Sequence, residues 1–183
     1  RLAGIALHGL VREGAVRAMV LAQQHYPSSR SVALHTCEVL VRLARADAEV
    51  LSPELALQAV RAGVAFPRDE EVVVAALEVV HAFSSRLHEL TGLKEERLLT
   101  FATDLVKLGE AGHEDPYAVS LLLVVLVAMA SDGTGLHSGG LQGAQWRAIL
   151  GHAAAATVPM RALYEHADRH ELICAAAIAL KCL

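Results

Sequence analysis

Apolar residues recur every three or four positions along most of the chain, which is the spacing of one face of an α-helix. The segment 30–46 predicts such a helix, with an apolar stripe formed by Ala33, Cys37, Leu40 and Ala44. The segment 68–90 predicts a longer helix of the same design, with an apolar stripe formed by Val73, Ala76, Leu77, Val80, Phe83, Leu87 and Leu90. The pattern therefore predicts an all-α protein in which each helix buries one side.

Polar residues occupy the opposite sides of these two helices, and they form the candidate partner-binding surface. The first helix contributes His35, Glu38, Arg42 and Arg45. The second helix contributes Glu78, His81, Ser85 and His88. The simpler interpretation of each residue alone is that any helix at a protein surface has a solvated side. As a surface, the mixture of charges favours a protein partner over nucleic acid.

The two helices belong to a repeated segment, because Pro27 aligns with Pro67 and Glu38 aligns with Glu78, forty residues apart. A period near forty, with a short helix, a corner and a longer helix, is typical of stacked helical repeats. The period predicts one continuous domain over 1–183. Its units are 14–47, 53–90, 94–131 and 144–183.

Three further segments fit this organisation. Residues 118–130 are almost entirely apolar, yet a helix of that length spans about 20 Å, short of the roughly 30 Å of a bilayer core, so it predicts a central helix covered on nearly all sides. Residues 131–144 are rich in glycine and predict an irregular connection, without the Gly-Lys-Ser/Thr ending of a phosphate-binding loop. Residues 2–12 predict the closing helix of a preceding unit, and the apolar C-terminal run predicts a piece of a longer array.

The segments 23–44 (QQHYPSSRSVALHTCEVLVRLA) and 63–84 (GVAFPRDEEVVVAALEVVHAFS) resemble armadillo and HEAT repeats. The likeness is closer to armadillo because the last helix of each unit is the long one. The resemblance implies a right-handed α-solenoid of about four armadillo-like repeats that acts as a protein-binding scaffold. Armadillo proteins that grip extended peptides use an asparagine near the end of the last helix, where this chain has Arg42, Ala82 and Ala128. The chain contains no asparagine, so that mode of peptide capture is not expected.

Composition narrows the possible functions. Apolar residues make up 54% of the chain but aromatic residues only 4%, so Leu, Val and Ala must build the interior. A net charge of −4 disfavours nucleic-acid binding, which depends on Lys and Arg. Cys37, Cys174 and Cys182 lack a Cys-x-x-Cys spacing and predict buried free thiols in an intracellular, reducing compartment, most simply the cytoplasm. The start of the chain lacks a charged segment followed by an apolar one, so no signal peptide is predicted there.

Histidines carry the one metal-binding hypothesis. His166 and His170 are four residues apart, so on one helix their imidazoles would face the same way, as a zinc pair requires. The alternative is that Asp168–His170 forms a helix junction, where histidines are usually solvated or capping. No Gly-x-Ser-x-Gly motif is present, and no local group activates a cysteine. The sequence therefore predicts neither catalysis nor a cofactor.

The sequence thus predicts a non-catalytic scaffold for protein–protein interaction, without membrane insertion. A second hypothesis is a structural component of a large assembly, with most of its surface covered by neighbouring subunits. A third is a metal-dependent enzyme that uses His166 and His170.

Overall fold

The computed structural model describes residues 14–46, 51–131 and 141–183, and within these ranges all regular secondary structure is helical. This confirms the all-α prediction. The α-helices, numbered in chain order, are α1 (Ala15–His25), α2 (Arg30–Ala46), α3 (Pro53–Ala65), α4 (Glu70–Ala82), α5 (Glu95–Ala111), α6 (Pro116–Ala130), α7 (Leu141–His152), α8 (Thr157–Glu165) and α9 (His170–Cys182). A 3-10 helix, Ser84–Gly92, lies between α4 and α5.

The chain divides into two compact units, one up to Phe83 and one from Ser84 to Leu183. In the first unit, α2 packs side by side with α4, and α3 packs against both of them. The predicted stripe residues that lie in this unit, from Ala33 to Ala44 on α2 and from Val73 to Phe83 in and just after α4, are buried, and Leu77 is 0% exposed. The period-based prediction of the inward faces is therefore confirmed.

The prediction of one α-helix over 68–90 is wrong, because α4 ends at Ala82 and the 3-10 helix Ser84–Gly92 follows it. The N–H of Phe83 lies 3.1 Å from the carbonyl oxygen of Val80 as well as from the one four residues back. This shared hydrogen bond starts the tighter i→i+3 pattern of a 3-10 helix. The two serines that follow are weak helix formers. The apolar residues in the 3-10 segment nevertheless remain buried, since spacings of three and four keep them on one side.

In the second unit, α6 packs side by side with α9, and α8 packs against α9. The cluster between these helices includes Val119, Leu123, Leu172 and Ala176. Three helices, α7, α8 and α9, occupy the C-terminal region.

Helix α6 is less covered than its sequence predicts. Leu123 is 0% exposed, but Tyr117 and Val124 are 48% and 45% exposed. These two residues are seven positions apart, so they lie on one face of α6. Packing against α9 on one side leaves this apolar face open. No helix in the described residues is long and apolar enough to cross a membrane.

The predicted glycine-rich connection over 131–144 is partly helical, because α7 begins at Leu141. The remainder of that prediction, residues 132–140, lies outside the described residues. The predicted helix over 2–12 lies outside them as well.

Four helix pairs are joined by the same four-residue corner, two corners in each unit. The corners are Tyr26–Ser29, Phe66–Asp69, Gly112–Asp115 and His166–Arg169. In each, the N–H of the fourth residue bonds to the carbonyl oxygen of the first, at 2.9 to 3.1 Å. The carbonyl of the fourth residue then accepts the first hydrogen bond of the next helix, at 3.0 Å. The same hydrogen-bonded corner thus occurs twice in each compact unit. The predicted order of a short helix before a longer one is found for α1–α2 and α8–α9, but α3 and α4 both have 13 residues, and α5, with 17 residues, is longer than α6, with 15.

Candidate functional site

Six of the eight predicted partner-binding residues lie on the outer side of the packed pair α2 and α4, and we call this surface the α2–α4 face. It comprises His35, Glu38, Arg42 and Arg45 on α2 and Glu78 and His81 on α4. Of these six side chains, those of His35, Arg42 and Arg45 are exposed, while those of Glu38, Glu78 and His81 are half-buried. Because α2 and α4 pack directly together, the two predicted stripes form one surface within the first unit.

The other two predicted residues, Ser85 and His88, are not on α4. They belong to the 3-10 helix, which is part of the second unit. Ser85 is exposed, and the side chain of His88 lies outside the described residues. The predicted stripe therefore does not run from Glu78 to His88 along one α-helix, because the i→i+4 pattern ends at Phe83.

Contacts within the α2–α4 face engage several of its polar side chains. Arg45 Nη2 donates to Glu78 Oε1 at 3.2 Å and links α2 to α4. His35 Nδ1 lies 3.2 Å from Glu38 Oε2 on the same helix. An exposed ion pair such as Arg45–Glu78 contributes only about 0–1 kcal/mol to stability. It nevertheless reduces the charge that this surface presents to a partner.

Arg42 differs from its neighbours on the α2–α4 face. Its side chain is exposed, and within the described residues no hydrogen bond or ion pair engages it. A guanidinium offers several donors in a planar fork that matches a carboxylate or a carbonyl group. Arg42 is therefore an arginine on this face whose donors are not engaged within the described residues.

A second group of charged side chains lies where α2 and α4 begin, next to their corners, and the sequence pattern did not reveal it. Arg30, the first residue of α2, donates to the carboxylates of Asp69 and Glu71. Asp69 also caps α4, where its carboxylate accepts a hydrogen bond from the N–H of Val72 at 3.2 Å. The guanidinium of Arg30 lowers the pKa of Asp69 below its ordinary value, and the capping N–H acts in the same direction. Because the partners are 39 and 41 residues apart, no local spacing predicts them.

Helices that follow a corner can be compared by counting residues from the last residue of that corner. The ninth residue is Glu38 in α2, Glu78 in α4, Val124 in α6 and Ile178 in α9. In the second unit these positions are apolar and exposed, at 45% for Val124 and 53% for Ile178. At this position the first unit thus carries a charged residue on both helices and the second unit an aliphatic one.

The two histidines of the metal hypothesis do not share a helix. His166 caps the C-terminus of α8, and His170 begins α9. The imidazole of His166 is buried, and its Nε2 lies 2.8 Å from the carbonyl oxygen of His113, to which the ring N–H donates. In the described ranges, no three His, Cys, Asp or Glu side chains are grouped so that they could hold a metal ion. The helix junction predicted as the alternative is what the structure contains.

The cysteines differ in their surroundings. Cys37 is buried between the helices of the first unit, and burial raises the pKa of its thiol to about 12. Cys182 is half-buried, and Cys174 is exposed with its Sγ 3.6 Å from His170 Nε2. The prediction of three buried thiols is therefore correct for Cys37 and wrong for Cys174, which lies on the outer side of α9.

Comparison of the chain with family models, with characterised proteins and with solved structures finds no match.

Proposed function

We propose that this chain is a non-catalytic scaffold that binds a partner protein through the α2–α4 face. We further propose that its helix pairs form a right-handed solenoid of about four armadillo-like repeats. The repeated four-residue corner supports this architecture. The likeness of the segments 23–44 and 63–84 to armadillo repeats supports it as well.

One observation carries the proposed binding role. Arg42 projects from a rigid pair of packed helices and has no ion pair or hydrogen bond within the described residues. The residues around it are already engaged, since Arg45 pairs with Glu78 and His35 lies beside Glu38. A partner with a carboxylate or a free carbonyl could accept a hydrogen bond from Arg42 without breaking an existing contact in this chain. The mixed charges around Arg42 suit a protein surface.

The test is a quantitative affinity capture that compares the unmodified chain with Arg42→Glu. Because the charge reverses at a site without an internal partner, the fold should be unaffected while the bound protein is lost. Arg61→Glu is the matched control, since Arg61 is an exposed arginine on α3, outside the α2–α4 face. A protein retained by Arg61→Glu and lost by Arg42→Glu supports the proposal. Equal recovery of every bound protein by the two variants contradicts it.

The charge pair on the same face gives a second comparison. Arg45→Glu places two carboxylates together, next to Glu78, and the double variant Arg45→Glu with Glu78→Arg restores an opposite-charge pair. If the partner contacts Arg45 directly, the double variant stays defective. If the pair only holds α2 against α4, the double variant regains binding.

The second hypothesis, a structural component of a large assembly, is favoured by a different observation. The second unit exposes several large apolar side chains: Tyr117, Val124, Met160, Tyr164 and Ile178. Met160 and Tyr164 are four residues apart on α8 and therefore share one face, and contiguous apolar surface is typical of regions that other proteins cover. Native mass spectrometry of the protein isolated from its source distinguishes the two. Stable, stoichiometric subunits indicate an assembly component, and a partner that exchanges indicates a scaffold.

A further inference from the structure

A cleft of about 270 Å³ opens in the second unit, between the C-terminal end of α5, the start of α6 and helix α8. Pockets for drug-sized ligands are larger, about 300–1,000 Å³. The cleft therefore suits a short chemical group. Since it lies in the other unit, it is separate from the α2–α4 face and does not depend on the function proposed above.

Apolar residues form the floor of the cleft. Val119, Val158 and Ala162 line it and are buried. Gly109 completes the floor, and its missing side chain lets α5 approach α6 and α8 closely. A Cβ atom there would overlap Leu122 Cδ2 and lie 3.1 Å from Val158 Cγ2. The interior of the cleft thus offers aliphatic contacts without a hydrogen-bonding group from these residues' side chains.

Charged residues form the mouth of the cleft. Arg161 Nε donates to Glu165 Oε1 at 2.7 Å, and this hydrogen bond keeps the pKa of Glu165 below its ordinary value. Glu165 is therefore ionised at neutral pH, and its charge is balanced by Arg161. Glu110 also lines the cleft and is exposed. Within the described residues its carboxylate has no hydrogen bond or ion pair.

With histidine counted as neutral, the charged residues at the mouth are Glu110, Arg161 and Glu165, so the mouth has a net charge of −1. Arg161 balances Glu165, and the negative charge of Glu110 remains. A carboxylate above an aliphatic floor is complementary to a cation that ends a short alkyl chain. The alkyl chain would displace water from the floor at about 25 cal/mol per Å² of apolar surface. A neutral alkyl group would gain only that contribution, and an anion would be repelled by Glu110.

We propose that this cleft binds an alkylammonium group, with the alkyl chain on Val119, Val158 and Ala162 and the ammonium beside Glu110. Two sources carry that chemistry. One is a free aliphatic amine, and the other is a lysine side chain of a bound protein.

The experiment is a nuclear magnetic resonance titration of the chain with n-butylammonium and with 1-butanol, its neutral counterpart. Saturable shifts of the backbone amides of Glu110, Val158 and Arg161 should appear with n-butylammonium. The apparent Kd for 1-butanol should be weaker by about threefold to fivefold, the ratio expected from the loss of one exposed ion pair. Glu110→Gln should remove this difference between the two ligands.

Glu95→Gln is the matched control, because Glu95 is an exposed acidic residue at the other end of α5. It lies about 22 Å from Glu110 along the helix axis, and it should leave both Kd values unchanged. Equal binding of n-butylammonium and 1-butanol, or an unchanged ratio in Glu110→Gln, would overturn the proposal. Shifts that fall outside the cleft would overturn it too.

A third ligand, Nα-acetyl-lysine-N-methylamide, identifies the source of the cation. If it shifts the same amides at least as strongly as n-butylammonium does, the cleft takes a lysine side chain presented by a protein. If it is excluded while n-butylammonium binds, the cleft takes a free amine. Failure of all three ligands to shift these amides would show that the cleft is not a binding site, and would leave the α2–α4 face proposal unaffected.

Discussion

Two glycines of the second unit provide a direct test of how closely its helices pack. Gly109 and Gly151 lie near the C-terminal ends of α5 and α7, and both allow an alanine by their backbone conformation. Alanine favours a helix over glycine by up to about 1 kcal/mol. At Gly151 a new Cβ meets nothing within 4 Å, so Gly151→Ala should stabilise the protein by about 0.5 kcal/mol, since the helix end reduces the gain.

Gly109→Ala should have the opposite sign. Its Cβ would overlap Leu122 Cδ2, and Leu122 is fully buried, so that side chain has little room to move. Inserting a methyl group into a packed core costs about 1–3 kcal/mol. After the helix-propensity gain is subtracted, Gly109→Ala should destabilise the protein by about 1 kcal/mol.

The assay is urea unfolding followed by far-UV circular dichroism, with both variants measured beside the unmodified chain. Because the propensity contribution is similar at the two sites, the difference between the variants, about 1–3 kcal/mol, reports steric overlap alone. In thermal unfolding, 1 kcal/mol corresponds to roughly 2–4 °C in Tm for a chain of this size. If Gly109→Ala stabilises as much as Gly151→Ala does, α5 does not approach α6 and α8 as described.

Three further predictions concern the core, the thiols and acid stability. Leu77→Ala and Leu123→Ala should each cost about 2–5 kcal/mol in urea unfolding because both side chains are fully buried, and a change within about 0.5 kcal/mol, as at a surface position, would contradict their burial. Under native conditions Ellman's reagent should modify Cys174 and spare Cys37, whose thiol is buried with a raised pKa, and peptide mapping that finds Cys37 modified at the same rate would refute this. The lowered pKa of Asp69 means that its contribution to stability is present above the unfolded-state pKa of about 3.9 and is lost as the pH falls through the folded-state value. Asp69→Asn should therefore flatten the acid side of the stability-versus-pH curve, and an unchanged slope would show that the interaction is absent in solution.

The repeat was visible in the sequence only where its corner contains proline. Pro27 and Pro67 occupy the second position of the first two corners, and they made the forty-residue period readable. His113 and Ala167 occupy the same position in the other two corners, yet the hydrogen bonds there are the same. Backbone geometry does not require proline at this position, so the third and fourth corners carried no comparable sequence signal.

The candidate site was predictable in part. Helical spacing placed Arg42 and Arg45 on an outer side, and the structure agrees. The spacing did not predict the hydrogen bond from Arg45 to Glu78, which is 33 residues away. Because of this bond, Arg45 is engaged within the α2–α4 face, whereas Arg42 has no partner among the described residues. The spacing also extended the α4 stripe to His88, because apolar residues keep their three- and four-residue spacing through the 3-10 segment. An α-helix and a 3-10 helix are hard to distinguish from that spacing alone.

The sequence by itself determined that the chain is helical and which sides of α2 and α4 are buried, because both follow from contacts between residues three and four positions apart. Only the tertiary structure decided which charges neutralise one another, where Cys174 lies, and that Gly109 and Glu110 line a cleft in which the Glu110 carboxylate has no partner among the described residues. These features depend on which helices are neighbours and on how far each is shifted along the axis of the next. Contacts between residues that are dozens of positions apart produce no periodic pattern in the sequence.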